Sequence, residues 1–175
     1  MIRSLIQFSK HSKRGVAALN ADGRAFAVNG TGTTLQMAQQ ALSAGSSLAA
    51  LAEQCLGEPI DLADLTLLTP IDHPDAAHLL VSGTGLTHLG SAEGRDKMHK
   101  AAAGGETLTD SMRMFLMGVD GGKPAPGEAG VQPEWFYKGD GSVVRASGQG
   151  LPMPDFALDG GEEPEIAGLY VIGDD

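Results

Sequence analysis

Two carboxylates placed two residues apart are the clearest candidates for chemical function in this chain. Glu163 and Glu165 stand at the start of an apolar run. In an extended strand, side chains at i and i+2 point to the same face, so these two can converge on one point. A hard divalent cation is the usual reason to bring carboxylates together, although two of them fill only part of its coordination shell. The alternative is a solvated strand start in an acidic surface, and the spacing alone favours that alternative.

Lys138 and His88 are the other candidate functional residues. Lys138 ends an aromatic run that begins at Trp135, and it could bind a carboxylate or polarise a carbonyl. The alternative is a surface lysine whose stem lies along apolar surface. His88 lies in a glycine-rich stretch after a predicted strand, a suitable place for acid–base chemistry near neutral pH. A structural histidine, held by a hydrogen bond in a loop, is the alternative there.

Several other chemistries find little support. Gly83 and Gly85 lack the third glycine and the following helix of a dinucleotide fingerprint. The serines show no nucleophile elbow, and Cys55 lies on a predicted core face, which argues against covalent catalysis.

Composition excludes some partners and predicts a compartment. The 175 residues carry 22 acidic and 12 basic side chains, a net charge of −10. Binding to nucleic acid requires basic patches, so nucleic acid is not expected as a partner. No apolar run approaches the roughly 20 residues that a membrane span needs. Cys55 is the only cysteine and no signal-peptide pattern is present, which favours a reducing cytoplasm.

The elements that must position these residues form an α+β pattern. Strands are predicted over residues 1–8, 15–19, 25–28, 60–68, 76–81, 135–138, 143–146 and 166–172, and helices over 35–44, 48–56 and 108–117. Asp22-Gly23 indicates a hairpin, while Thr34 and Ser47 are candidate helix caps. We therefore expect a small strand-helix domain over residues 1–75, followed by a β-rich region over residues 76–175.

Taken together, these residues resemble the fumarylacetoacetate hydrolase family. The resemblance covers residues 76–175 and rests on Phe136-Tyr137-Lys138, Ser142, Pro152, Pro154, Glu163-Pro164-Glu165-Ile166-Ala167 and Val171-Ile172-Gly173. The sequences from Gly83 to Ser91 and from Gln132 to Gly139 resemble one branch of the family, the GguC-like or arabinose-pathway dehydratases, which act on sugar acids.

This resemblance implies a fold, a cofactor and a site. It implies that residues 76–175 begin a β-rich roll, in a cytoplasmic homodimer that acts on small 2-oxo acids. Glu163 and Glu165 would hold Mg²⁺ (or Mn²⁺ or Ca²⁺) together with an aspartate from a later strand. Lys138 and Ser142 would lie in the substrate pocket. That third ligand is expected beyond Asp175, so the chain resembles the N-terminal part of a longer relative.

One departure from the family pattern bears on the reaction. Hydrolytic members carry a glutamate three residues after the histidine, whereas His88 is followed at that distance by Ser91. We therefore expect dehydration of a 2-keto-3-deoxy sugar acid, pentonate-like in size, with His88 in acid–base catalysis. Hydrolysis of a C–C bond in an acylpyruvate is the second possibility. An inactive fragment or a ligand-binding module is the third, because the site is incomplete.

Overall fold

The chain has an α+β fold, as the sequence predicts. The computed structural model describes residues 1–84, 97, 109–132, 134–160 and 165–173, so His88 and Glu163 lie outside the described residues. The chain divides into two compact units, which are described separately below. The first consists of Met1–Leu79 with Gly141–Asp175, and the second of Leu80–Asp140.

The first unit contains a five-stranded antiparallel sheet. Its strands are β1 (Ile2–Lys10), β2 (Lys13–Asn20), β3 (Ala25–Val28), β4 (Leu56–Ile60) and β5 (Thr66–Leu67), in the spatial order β4-β3-β2-β1-β5. His11 and Ser12 join β1 to β2 with φ values of 49° and 63°. Positive φ at both residues of a two-residue loop matches the right-handed twist of the strands. In the next hairpin, the side-chain oxygen of Asn20 accepts hydrogen bonds from two backbone amides, which stabilises the turn.

Two helices pack on one face of this sheet. They are α1 (Thr34–Ser43) and α2 (Leu48–Gln54), and the hydroxyls of Thr33 and Ser47 cap their N-termini by accepting from backbone amides. Thr33, rather than the predicted Thr34, is the cap of α1. The core between sheet and helices consists of Val16, Ala18, Val28, Met37 and Ala52.

A buried glutamine connects three parts of the first unit. The amide nitrogen of Gln7, on β1, donates to the carbonyl of Thr69 at 2.7 Å. Its amide oxygen accepts from the backbone N–H of Thr34, at the start of α1, at 2.8 Å. Only 1% of Gln7 is exposed. Its hydrogen bonds therefore fix the start of α1 and the segment after β5 relative to β1.

The second unit contains a strand pair and a helix. β6 (Leu80–Thr84) and β7 (Trp135–Asp140) are antiparallel, and α3 covers Asp110–Gly121. Met112 and Phe115 of α3 are buried against each other. The hydroxyl of Ser111 donates to the carboxylate of Glu134 at 2.9 Å, which ties the first turn of α3 to the residue before β7.

Four predicted strands differ from the structure. Residues 60–68, predicted as one strand, are divided between the end of β4, a 3-10 turn at Leu62–Asp64 and β5. The Asp61 carboxylate accepts from the backbone N–H of Ala63 and so stabilises the turn that interrupts the strand. Likewise, Asp75 caps a 3-10 turn at Ala76–His78, so β6 begins only at Leu80.

The other two predicted strands, over residues 143–146 and 166–172, are wrong. Val143 lies in a turn and residues 144–146 have no regular secondary structure; the Arg145 guanidinium donates to the carbonyl of Ser142 at 2.6 Å. The described residues 165–173 form no strand. Apolar content at strand spacing predicted both, but no neighbouring strand pairs with either segment among the described residues. Within the described part of the chain, no helix has the length and apolar content needed to cross a membrane.

Candidate functional site

Lys138 lies at an irregularity in the β6–β7 pair. Val81 of β6 is opposite Gly139 of β7, and the next residue, Ser82, is opposite Tyr137. Lys138 is therefore one extra residue on β7 with no opposing residue on β6, which is a β-bulge. Bulges re-aim side chains and occur often beside active sites. The backbone thus gives the predicted substrate-binding lysine an orientation that a regular strand would not.

Gly83 allows Lys138 and Phe136 to lie across the neighbouring strand. A Cβ atom built on Gly83 would come within 2.6 Å of Cε of Lys138 and within 2.9 Å of the Phe136 ring. Any side chain at this position would displace one or both of these groups. A glycine inside a strand often marks such a close approach. Gly139, which follows the bulged lysine, has a φ of 146°, a conformation that residues with a Cβ rarely adopt.

The ammonium group of Lys138 lies near the face of an aromatic ring. Its Nζ atom is 5.6 Å from the centroid of the Phe136 ring. A cation within about 6 Å of an aromatic face is attracted by the quadrupole of the ring. The Lys138 side chain is exposed. This arrangement of an oriented, exposed ammonium beside an aromatic face is suited to binding a small carboxylate.

Ser142 and Glu165, two further predicted site residues, belong to the first unit. Ser142 follows β7 in a turn and is exposed, and its carbonyl accepts from Arg145. Glu165 is exposed at the beginning of the described segment over residues 165–173, which has no regular secondary structure. Leu169 and Val171 of this segment line a groove in the first unit, whereas Tyr170 and Ile172 are 89% and 93% exposed. Leu169, although it lines the groove, is itself 61% exposed.

The predicted metal pair is only half described. Glu165 offers carboxylate oxygens, the donor type that Mg²⁺ and Ca²⁺ prefer. Glu163 and the histidine predicted to act in catalysis, His88, lie outside the described residues. The described residues contain no group of three or more His, Cys, Asp or Glu side chains that could hold a metal ion. The ligand set thus stays a prediction from the sequence.

Comparison with protein-family models, with curated proteins and with solved structures finds no match for this chain. Membership of the fumarylacetoacetate hydrolase family stays a prediction that rests on the residues named above.

Two features of the Lys138 environment were missed in the sequence. The first is the bulge, whose position depends on how β7 pairs with β6. The second is the close contact of Gly83 with Lys138 and Phe136. The signal for it was present, because a lone glycine within an apolar strand pattern indicates a bulge or a close approach.

Proposed function

We propose that this protein catalyses the metal-dependent dehydration of a 2-keto-3-deoxy sugar acid in sugar catabolism. The observation that carries the proposal is the position of Lys138, on a β-bulge, beside Phe136 and across Gly83. That lysine is the one the family resemblance assigns to the substrate pocket. An oriented ammonium on a strand is a stronger basis for substrate binding than a lysine at an arbitrary surface position.

Each residue has a defined part in the proposed reaction. Lys138 binds the carboxylate of the substrate through a charge-assisted hydrogen bond, and the family resemblance assigns Ser142 to substrate binding as well. His88 moves protons: it removes the proton from C3, or protonates the C4 hydroxyl as that group leaves. The C3–H and C4–O bonds break, a double bond forms between C3 and C4, and the proton and the hydroxide leave as one molecule of water.

A divalent cation completes this scheme. Glu163 and Glu165 would hold Mg²⁺ (or Mn²⁺ or Ca²⁺), and the carboxylate oxygen of Glu165 is of the right chemical type. Bound there, the cation would supply electrophilic polarisation of the 2-ketone, which makes the C3 proton more acidic. We place this activity in a cytoplasmic homodimer, on the basis of the single Cys55 and the family resemblance.

The test is product analysis with Mg²⁺ present. The protein is incubated with a 2-keto-3-deoxy-pentonate and, separately, with an acylpyruvate, and the products are identified by mass spectrometry. Loss of one water from the sugar acid supports dehydration. Cleavage of the acylpyruvate into two acids, with the sugar acid unchanged, would assign hydrolysis instead. Binding of the sugar acid without any turnover would indicate a ligand-binding module.

A further inference from the structure

A groove of about 410 Å³ lies in the first unit, between the first half of β1, the two helices and the segment 165–173. Its walls are mostly apolar and include Leu5, Ala38, Ala49, Ile71, Leu169 and Val171. Small-molecule sites in proteins are mostly apolar concavities of roughly 300–1,000 Å³ with a few polar groups. This groove has the volume and the lining of such a site.

The groove exists because nearby elements leave this region unfilled. β5 pairs with β1 only at Phe8 and Ser9, so no described strand pairs with the first half of β1 on that side. Ala38 and Ala49, on the facing helices, have short side chains that do not reach across the space. The cavity therefore results from strand length and from side-chain size.

Among the residues that the structure describes, Arg3 is the only charged one that lines the groove. Within the described part of the chain, no hydrogen bond or ion pair engages its side chain. Ser4 and Thr34 are the other polar residues named in the lining. Thr34 is already hydrogen-bonded: its hydroxyl donates to the carbonyl of Pro70 at 2.6 Å, and its backbone N–H donates to Gln7. In a chain with a net charge of −10, this groove thus presents an apolar surface with one accessible guanidinium.

We propose that the groove binds a small amphipathic carboxylate of the medium-chain fatty acid type. The hydrocarbon part lies between Ala38, Ala49 and Leu169, and the carboxylate accepts hydrogen bonds from Arg3. A guanidinium matches a carboxylate with two parallel N–H donors, which fixes both position and orientation. The charge of Arg3 excludes amines, and the apolar walls disfavour the hydroxyl-rich sugar acids of the proposed reaction.

This site has a consequence for the segment that carries Glu165. Leu169 and Val171 line the groove four and six residues after Glu165 in the chain. A ligand in the groove would add contacts to these two side chains and so restrict the segment. The groove is thus positioned to couple the binding of a fatty acid to the position of a predicted metal ligand.

Calorimetric titration of the full chain with octanoate tests the proposal, with octanol as the uncharged counterpart. We expect one octanoate to bind per chain, about 10-fold more tightly than octanol, because of the charge-assisted hydrogen bonds. Arg3→Gln should remove this difference, whereas Lys13→Gln, a matched change at an exposed position of β2, should preserve it. Ala38→Phe should abolish binding of both by filling the groove, and Gln39→Phe, on the exposed side of the same helix, should not.

Several outcomes would overturn the proposal. Equal affinity for octanoate and octanol would remove the role of Arg3, and unchanged binding in Ala38→Phe would place the ligand elsewhere. If circular dichroism shows that Ala38→Phe does not fold, Ala49→Phe fills the same groove from α2. If the protein binds no octanoate but forms a dimer, and if Ala38→Phe or Ala49→Phe dissociates that dimer, the groove would be assigned to a second copy of the chain.

Discussion

Replacement of Gln7 by leucine should destabilise the first unit although the side-chain volume is nearly kept. The change removes the hydrogen bonds to Thr34 N–H and to the Thr69 carbonyl, at 2.8 and 2.7 Å. A buried polar group left without a partner costs about 1–3 kcal/mol, so the two groups together cost about 2–6 kcal/mol. Burial of the added apolar surface offsets about 1–2 kcal/mol of this. We therefore expect a net loss of about 2 kcal/mol, a large share of the roughly 5–15 kcal/mol that stabilises a domain.

Urea denaturation followed by far-ultraviolet circular dichroism measures this loss, with Gln39→Leu as the control. Gln39 is an exposed glutamine on α1, so its replacement should change stability by no more than about 0.5 kcal/mol. Hydrogen exchange gives a local readout, because the Thr34 amide loses its acceptor only in Gln7→Leu. Equal stability of the two variants, with the Thr34 amide equally protected in both, would refute the structural role of Gln7.

Three further predictions concern the core, the lysine and the metal. Met37→Ala should lower the free energy of unfolding by about 2–5 kcal/mol in the same urea experiment, because Met37 is fully buried. A decrease below about 1 kcal/mol would contradict the core described here. Gly83→Ala should raise KM for the sugar acid, because the new Cβ displaces Lys138 and Phe136. Stability should change little, since both displaced side chains are exposed. Gly118→Ala is the control, because a Cβ there meets nothing within 4 Å and KM should stay unchanged. Glu165→Ala should abolish calorimetric Mg²⁺ binding, and unchanged affinity would remove it from the ligand set.

The local elements of the first unit could be predicted because their signals are local. Hairpin residues such as Asp22-Gly23 and a capping serine such as Ser47 act within a few residues, and the structure confirms the strands and helix beside them. Capping also explains the errors near residues 60–81. The Asp61 and Asp75 carboxylates each favour a turn, and their effect outweighed the β propensity of the apolar residues that follow.

Pairing between distant segments could not be predicted. Residues 166–172 have the composition of a strand, but a strand requires hydrogen bonds to a neighbouring strand. The spacing of apolar residues such as Leu169 and Val171 does not show whether such a neighbour exists. The same limit applies to the candidate site. The aromatic strand ending in Lys138 was predicted, whereas the bulge that orients this lysine depends on its register against β6.

The central claim, that Lys138 binds the carboxylate of a 2-oxo acid during turnover, is tested most directly by comparing two lysine variants. Lys138→Gln and Lys123→Gln each remove one positive charge from an exposed side chain of the second unit. With Mg²⁺ and a 2-keto-3-deoxy-pentonate, we predict that kcat/KM falls about 10–100-fold in Lys138→Gln, the loss expected for one charge-assisted hydrogen bond, and stays unchanged in Lys123→Gln. Equal kcat/KM in the two variants would contradict the assignment of Lys138 to the substrate.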